Sequence, residues 1–148
     1  MHHIAGPPGS FAASERERGW RETLAATGAP VPAVVRGDWT APSGHAAAAQ
    51  LADATAIFSA NDQMALGALR ALSEAGRRVP GHVEVIGFDD VPDAAEYLPP
   101  LTTIRQDFAA LAEAAVDALV ADLDAPLEAG STIIPTVLVE RSSTRALK

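Results

Sequence analysis

Apolar and polar positions follow two rhythms along the chain, and the clearest change of rhythm falls in residues 55–70. Ala56-Ile57-Phe58 is a short apolar run of the kind that fills a buried parallel strand. The polar residues Ser59, Asn61 and Asp62 follow, and then Met64, Ala68 and Leu72 recur at helical spacing until Gly76 stops the run. Ser59 or Asn61 can cap that helix, because a side-chain oxygen there accepts an orphan N–H of the first turn. Asp62 adds a carboxylate at the positive end of the helix dipole. The stretch reads as strand, polar turn, helix. In an open α/β sheet such a turn lies at the carboxyl end of the strand, where ligands bind.

The same unit recurs. Residues 2–5 read as a strand, Gly6-Pro7-Pro8-Gly9 as a turn, and Ser10 as the cap of a helix to about Ala26. Residues 32–36 read as a second strand, and Ser43-Gly44 opens an Ala-rich helix to about Leu51. Residues 83–88 form another apolar strand, ending in Asp89-Asp90. A short helical turn is expected over 93–97 and an edge segment over 102–104. Asp107 then caps a helix over 108–123, with Leu111, Ala115 and Leu119 on one stripe and Val116 and Val120 beside it, ended by Ala125-Pro126. Residues 132–134 and 136–139 read as final strands split by Pro135, which cannot donate to a ladder. This pattern predicts an α/β fold: an open parallel sheet with flanking helices.

Composition narrows the function. The 148 residues suit one domain, and 11 Lys and Arg against 19 Asp and Glu leave a net charge of −8. Such a chain is a poor holder of a phosphate backbone by itself. There is no cysteine. No apolar run is long enough to span a bilayer, and no signal peptide precedes the domain, which favours the cytoplasm. Neither a Gly-rich phosphate loop nor a nucleophile elbow occurs, and histidines 2, 3, 45 and 82 lack zinc spacing. We therefore expect no enzyme, no cofactor and no metal.

Five residues carry candidate chemistry, the first three each with a plainer alternative. Arg16 lies four residues before Trp20, near the face that Trp20 shares with Leu24. It either faces a polar cleft or a carboxylate, or snorkels to the surface. Trp39 either stacks on the C–H face of a sugar or covers the edge of the core. Asn61 either reaches a ligand or serves as a helix cap. Asp89 and Asp90 can accept hydroxyl hydrogen bonds at the end of their strand. They lack a third ligand for a divalent cation, and as neighbours on a strand they point to opposite faces, which argues against a catalytic pair.

Several motifs in order carry a resemblance. Ser59-Ala60-Asn61-Asp62-Gln63-Met64-Ala65-Leu66-Gly67, Val85-Ile86-Gly87-Phe88-Asp89-Asp90 and Pro100-Leu101-Thr102-Thr103-Ile104-Arg105-Gln106-Asp107-Phe108 resemble the effector-sensing domain of the LacI/GalR family of bacterial transcriptional regulators. Ile4-Ala5-Gly6-Pro7 with Arg16 and Gly19-Trp20 matches the upstream segment, and Val137-Leu138-Val139-Glu140-Arg141-Ser142-Ser143-Thr144 matches the end. The resemblance implies a periplasmic-binding-protein-like type I sensor, two α/β subdomains with a sugar or other small effector between them. It assigns effector contacts to Arg16, Trp39, Asn61, Asp89, Gln106 and Phe108. It also turns Leu66, Leu69, Arg70 and Tyr97 toward a homodimer partner. On this reading residues 1–104 are the second subdomain. Residues 105–135 are a crossover helix and strand of a largely missing first subdomain, leaving the helix's apolar stripe exposed, and 136–148 are a return strand and tail. Operator DNA is then met only through an N-terminal helix-turn-helix that this chain lacks. The rival expectations are a periplasmic sugar-binding transport protein, a hydrolase using Asp89 or Asp90, and a remnant without function.

Overall fold

The computed structural model describes residues 1–124 and 132–146. Four strands, β1 (His2–Ala5), β2 (Val35–Arg36), β3 (Ala56–Ser59) and β4 (Glu84–Ile86), form a parallel sheet in the order β2-β1-β3-β4. Helices α1 (Phe11–Ala26), α2 (Ala41–Ala48) and α3 (Asp62–Glu74) make the three connections. The chain steps outward from β1 to β2, then winds the other way through β3 and β4. The topological switch point therefore lies between β1 and β3.

Side-chain alternation sorts the two faces of the sheet. His3 and its register partner Phe58 stack at 4.7 Å between ring centroids, and Trp20 of α1 lies 5.3 Å from the same histidine. On the opposite face Ile4 and Ile57 join Ala47 of α2 and Met64 and Ala68 of α3 in the hydrophobic core. There α2 and α3 approach backbone to backbone, and two glycines permit it. A Cβ on Gly44 would lie 2.1 Å from the Met64 carbonyl oxygen, and one on Gly67 would lie 1.8 Å from that of Ala41.

Beyond β4, a single 3-10 turn (Pro92–Glu96) leads to β5 (Thr103–Arg105), which pairs antiparallel with β6 (Val137–Val139). This ribbon is fastened to the β4 edge. The Val85 N–H donates to the Ser143 carbonyl at 3.0 Å, Ser143 Oγ donates back to the Val85 carbonyl at 2.6 Å, and the Thr102 N–H donates to Ser143 Oγ at 2.7 Å. Between the two strands of the ribbon runs α4 (Phe108–Asp124), whose Leu111, Val116, Leu119, Val120 and Leu123 are all exposed. Among the described residues no helix is long and apolar enough to cross a membrane.

Three local expectations are corrected. α2 opens at Ala41 rather than at Ser43-Gly44: the Thr40 Oγ1 caps it by accepting the Ser43 N–H, and Pro42, which needs no donor, sits in the first turn. The second strand is confined to Val35–Arg36, because Pro30 and Pro32 offer no N–H to a ladder. Residues 132–134 are not a strand; only Val137–Val139 pairs, beyond Pro135. The expected stop at Ala125-Pro126 falls outside the described residues. The caps Ser10 and Asn61 form as expected, Ser10 accepting from the Ala13 N–H and Asn61 from the Met64 N–H.

Candidate functional site

The carboxyl ends of β1, β3 and β4 converge with the first turns of α1 and α3, and polar side chains gather there. Arg16, in the second turn of α1, turns inward rather than to solvent. Its Nη1 donates to the Ala60 carbonyl at 2.6 Å and its Nη2 to Asp89 Oδ1 at 3.2 Å. The guanidinium lies 3.9 Å from the Phe88 ring centroid and 5.7 Å from that of Trp39, so aromatic faces flank a cation with only 14% of its side chain exposed. Gln106 Nε2 donates to the same Asp89 Oδ1 at 2.8 Å. Asp89 Oδ2 accepts no hydrogen bond among the described residues, which leaves an acceptor for a ligand. Arg16, Phe88 and Gln106 also border a trough of about 890 Å³ along α1, lined further by Trp20, Leu24 and Phe58; Trp39, Asn61 and Asp89 are not among its lining residues.

The two adjacent aspartates do part, though not by strand alternation: β4 ends at Ile86, and both lie in the loop beyond it with positive φ. Burial pushes the Asp89 carboxyl above the usual range, and Arg16 and Gln106 pull it only part of the way back. Burial would raise Asp90 too, but Arg141 and Arg105 outweigh it and hold that carboxyl below the usual range. Arg141 Nη2 donates to Asp90 Oδ1 at 2.7 Å and Arg105 Nε to Oδ2 at 2.6 Å. Asp90 is thus consumed in fastening the loop to the ribbon, while Asp89 faces the cluster.

Trp39 and Asn61 combine their alternatives. Trp39 packs against the core and also lies over the Arg16 guanidinium. Asn61 caps α3 through Oδ1, while its Nδ2 donates to the Trp39 carbonyl at 3.0 Å and to Gln63 Oε1 at 2.8 Å. Both of its amide hydrogens are therefore engaged within the protein. Five of the six expected effector residues thus form one connected set. Phe108 stands apart: it opens α4, 56% exposed, and no polar or ring contact among the described residues joins it to the others. The four expected dimer residues do meet. Leu66, Leu69, Arg70 and Tyr97 line one surface concavity of about 500 Å³ beside Leu98, which is 88% exposed.

Backbone strain concentrates here. Among the described residues only Trp39 (φ 76°), Asp89 (φ 112°) and Asp90 (φ 54°) hold a positive φ without being glycine. Such residues cost about 1–3 kcal/mol each and persist where the surroundings over-determine them. Gly6 makes room for one of them, since a Cβ there would sit 2.3 Å from the Trp39 ring. Gly6→Ala is therefore expected to push that ring out of its seat. Tryptophan emission should shift to the red and become more accessible to acrylamide; unchanged emission and quenching would contradict this packing.

The residues that sequence reasoning did not reach are Phe88, Asp62 and the clamp formed by Arg105 and Arg141. Phe88 reads as one more apolar strand residue. A clamp between Asp90 and Arg141, 51 positions apart, leaves no local trace.

Comparison with known proteins bears on this geometry. Residues 1–144 match the family described as the periplasmic binding protein-like domain. The lactose operon repressor of Escherichia coli K12 is 41% identical over 147 residues, 97% of this chain and 41% of the repressor. The transcriptional regulator CelR of Thermobifida fusca is 44% identical over 109 residues, 70% of this chain and 32% of that protein. This chain thus spans less than half the length of these relatives. Among solved structures, a lac repressor dimer bound to operator and the anti-inducer ONPF superposes with a TM-score of 0.92 at 40% identity, over 98% of this chain and 52% of that one. A CelR–cellobiose complex superposes with a TM-score of 0.89 at 36% identity, over 96% of this chain and 46% of that one. With the sheet, its switch point and the motifs all in agreement, the chain belongs to the periplasmic-binding-protein-like domain family, within its LacI/GalR branch of transcriptional regulators.

Proposed function

We propose that this chain is the effector-sensing and dimerisation portion of a LacI-type repressor, and that its effector is a sugar. The observation that carries the reading is the Arg16–Asp89–Gln106 cluster beside Trp39 at the switch point of the sheet. A carboxylate with one oxygen free, a fixed guanidinium and an indole face suit a polyol: the charged groups bond hydroxyls and the ring covers C–H faces. Arg16, Trp39, Asn61, Asp89, Gln106 and Phe108 are the proposed effector contacts, and residues 105–135 the crossover toward a first subdomain. A regulator of this kind works by linkage, the effector favouring one sensor conformation and so shifting a DNA-binding equilibrium. DNA would be met through a separate DNA-reading element, since exposed Arg18, Arg21, Arg70 and Arg105 are all paired with carboxylates here. The relatives named above are regulators, which favours neither a transport component nor an enzyme.

The test is calorimetric titration of the chain with cellobiose, lactose and ribose. Saturable binding of at least one sugar, lost in Arg16→Ala, is the expected outcome. No binding to any of the three, or binding indifferent to Arg16, would overturn the sugar reading at this site. Dimerisation is tested separately. Leu66, Leu69, Arg70 and Tyr97 are proposed to face the partner, so Leu66→Glu should halve the mass in solution. A mass unaffected by Leu66→Glu would remove this face from the interface.

A further inference from the structure

Asp62 is fully buried and makes no ion pair among the described residues, although its charge is felt by the Arg16 guanidinium. An unpaired buried carboxylate is costly, and burial pushes its carboxyl above the usual range despite the hydrogen bonds it accepts. Those bonds all go to the site's surroundings. Oδ2 accepts the Val91 N–H at 2.9 Å, and the nearby Phe88 N–H also favours the charged form of this carboxylate. Oδ1 accepts the Thr103 hydroxyl of β5 at 2.6 Å. Gly87 closes against it, for a Cβ there would stand 2.1 Å from Asp62 Oδ1. The two backbone donors bracket Asp89 and Asp90, the only consecutive non-glycine residues with positive φ among those described. One carboxylate at the start of α3 thus grips both sides of the strained loop.

We infer that Asp62 is the positioning residue of the candidate effector site: it touches no effector, but holds the loop of residues 87–91 so that Asp89 faces Arg16. This rests on the reading of Asp89 as the effector-binding carboxylate. The preceding residue, Asn61, does the same for the other strained residue, by donating to the Trp39 carbonyl.

The experiment compares Asp62→Asn with Asp62→Ala in the full chain by following the Asp89 side-chain carboxyl through a pH titration by carbon NMR. Both substitutions remove the same charge, so Arg16, Asp90 and Arg105 act on Asp89 equally in the two. Asparagine can still accept from Val91 and donate to Thr103, whereas alanine can do neither. Loss of the Asp62 charge acts on Asp89 alike in both variants, so Asp89 should stay raised in Asp62→Asn and fall further, to the ordinary carboxylate range, in Asp62→Ala as the loop opens to water. Equal titration in the two variants would overturn the proposal. Cellobiose affinity is the second readout, expected to fall about tenfold in Asp62→Ala and to be largely kept in Asp62→Asn. A parent that binds no cellobiose would count against that effector, while the titration would still decide the role of Asp62. Should Asp62→Ala not fold, Thr103→Val removes one grip and must move the Asp89 titration part of the way; no movement would refute the role.

Discussion

Replacing Asp89 by alanine is expected to weaken effector binding about a hundredfold. Its carboxylate serves two partners through Oδ1 and keeps Oδ2 for a ligand hydroxyl. Removing it deletes that acceptor and also strands Arg16, whose side chain is 14% exposed and keeps, besides the flanking rings, only the Ala60 carbonyl as acceptor. Breaking a desolvated, hydrogen-bonded ion pair costs about 3 kcal/mol, or roughly two powers of ten in affinity. A second substitution separates binding from folding. Asp89 holds φ at 112°, which alanine tolerates no better than aspartate, whereas glycine adopts it freely. Asp89→Gly should therefore be more stable than Asp89→Ala by about 1 kcal/mol while binding no better. Calorimetric titration and thermal melting of the two variants check both halves. Full affinity in either variant would remove Asp89 from the site.

Gly67→Ala carries the largest expected effect on stability. The added methyl would lie 1.8 Å from the Ala41 carbonyl oxygen and 2.7 Å from the His45 nitrogen, both backbone atoms of α2. No side-chain rotation can relieve that overlap, so the helices must part. Parting loosens the buried Ala47, Ala48, Ala65 and Ala68, small residues that pack only at close approach. Gly44→Ala meets the same difficulty from the other side, with the Met64 carbonyl oxygen at 2.1 Å. Each substitution is expected to cost about 3 kcal/mol or more, the upper end of overpacking, and to lower Tm by roughly 10 °C in a chain of this size. Melting within about 2 °C of the parent would contradict the close helix crossing.

Much of this protein was legible in its sequence, and for a common reason: the signals are local. Ser10 and Asn61 cap their helices because a short polar side chain just before an apolar helical period satisfies an N–H within three residues. The runs at Ala56-Ile57-Phe58 and around Val85 become strands because their continuous apolarity suits a sheet covered on both faces. The opposite fates of Asp89 and Asp90 were expected from strand alternation, but β4 ends at Ile86 and it is the left-handed backbone of the loop that turns the two carboxylates apart. The placement of polar residues at strand carboxyl ends was likewise open to reading, since each polar turn directly follows its strand. The start of α2 lies two residues before the expected Ser43 because Thr40, whose N–H and hydroxyl Asp38 accepts, takes the cap.

What sequence alone could not decide is everything that depends on which distant segments touch. Arg16 could snorkel or turn inward; only the arrival of Asp89, 73 positions away, makes the buried orientation stable. Asn61 and Trp39 each seemed to require a choice between structural and ligand roles, and the fold joins them in one hydrogen bond instead. Asp62 read as an ordinary first-turn carboxylate on a helix dipole, yet its oxygens are spent on Val91 and Thr103, 29 and 41 positions on. Local periodicity determines which face of an element is apolar. The close crossing at Gly44 and Gly67 and the grip on a strained loop arise from pairs of elements, so only the tertiary structure could settle them.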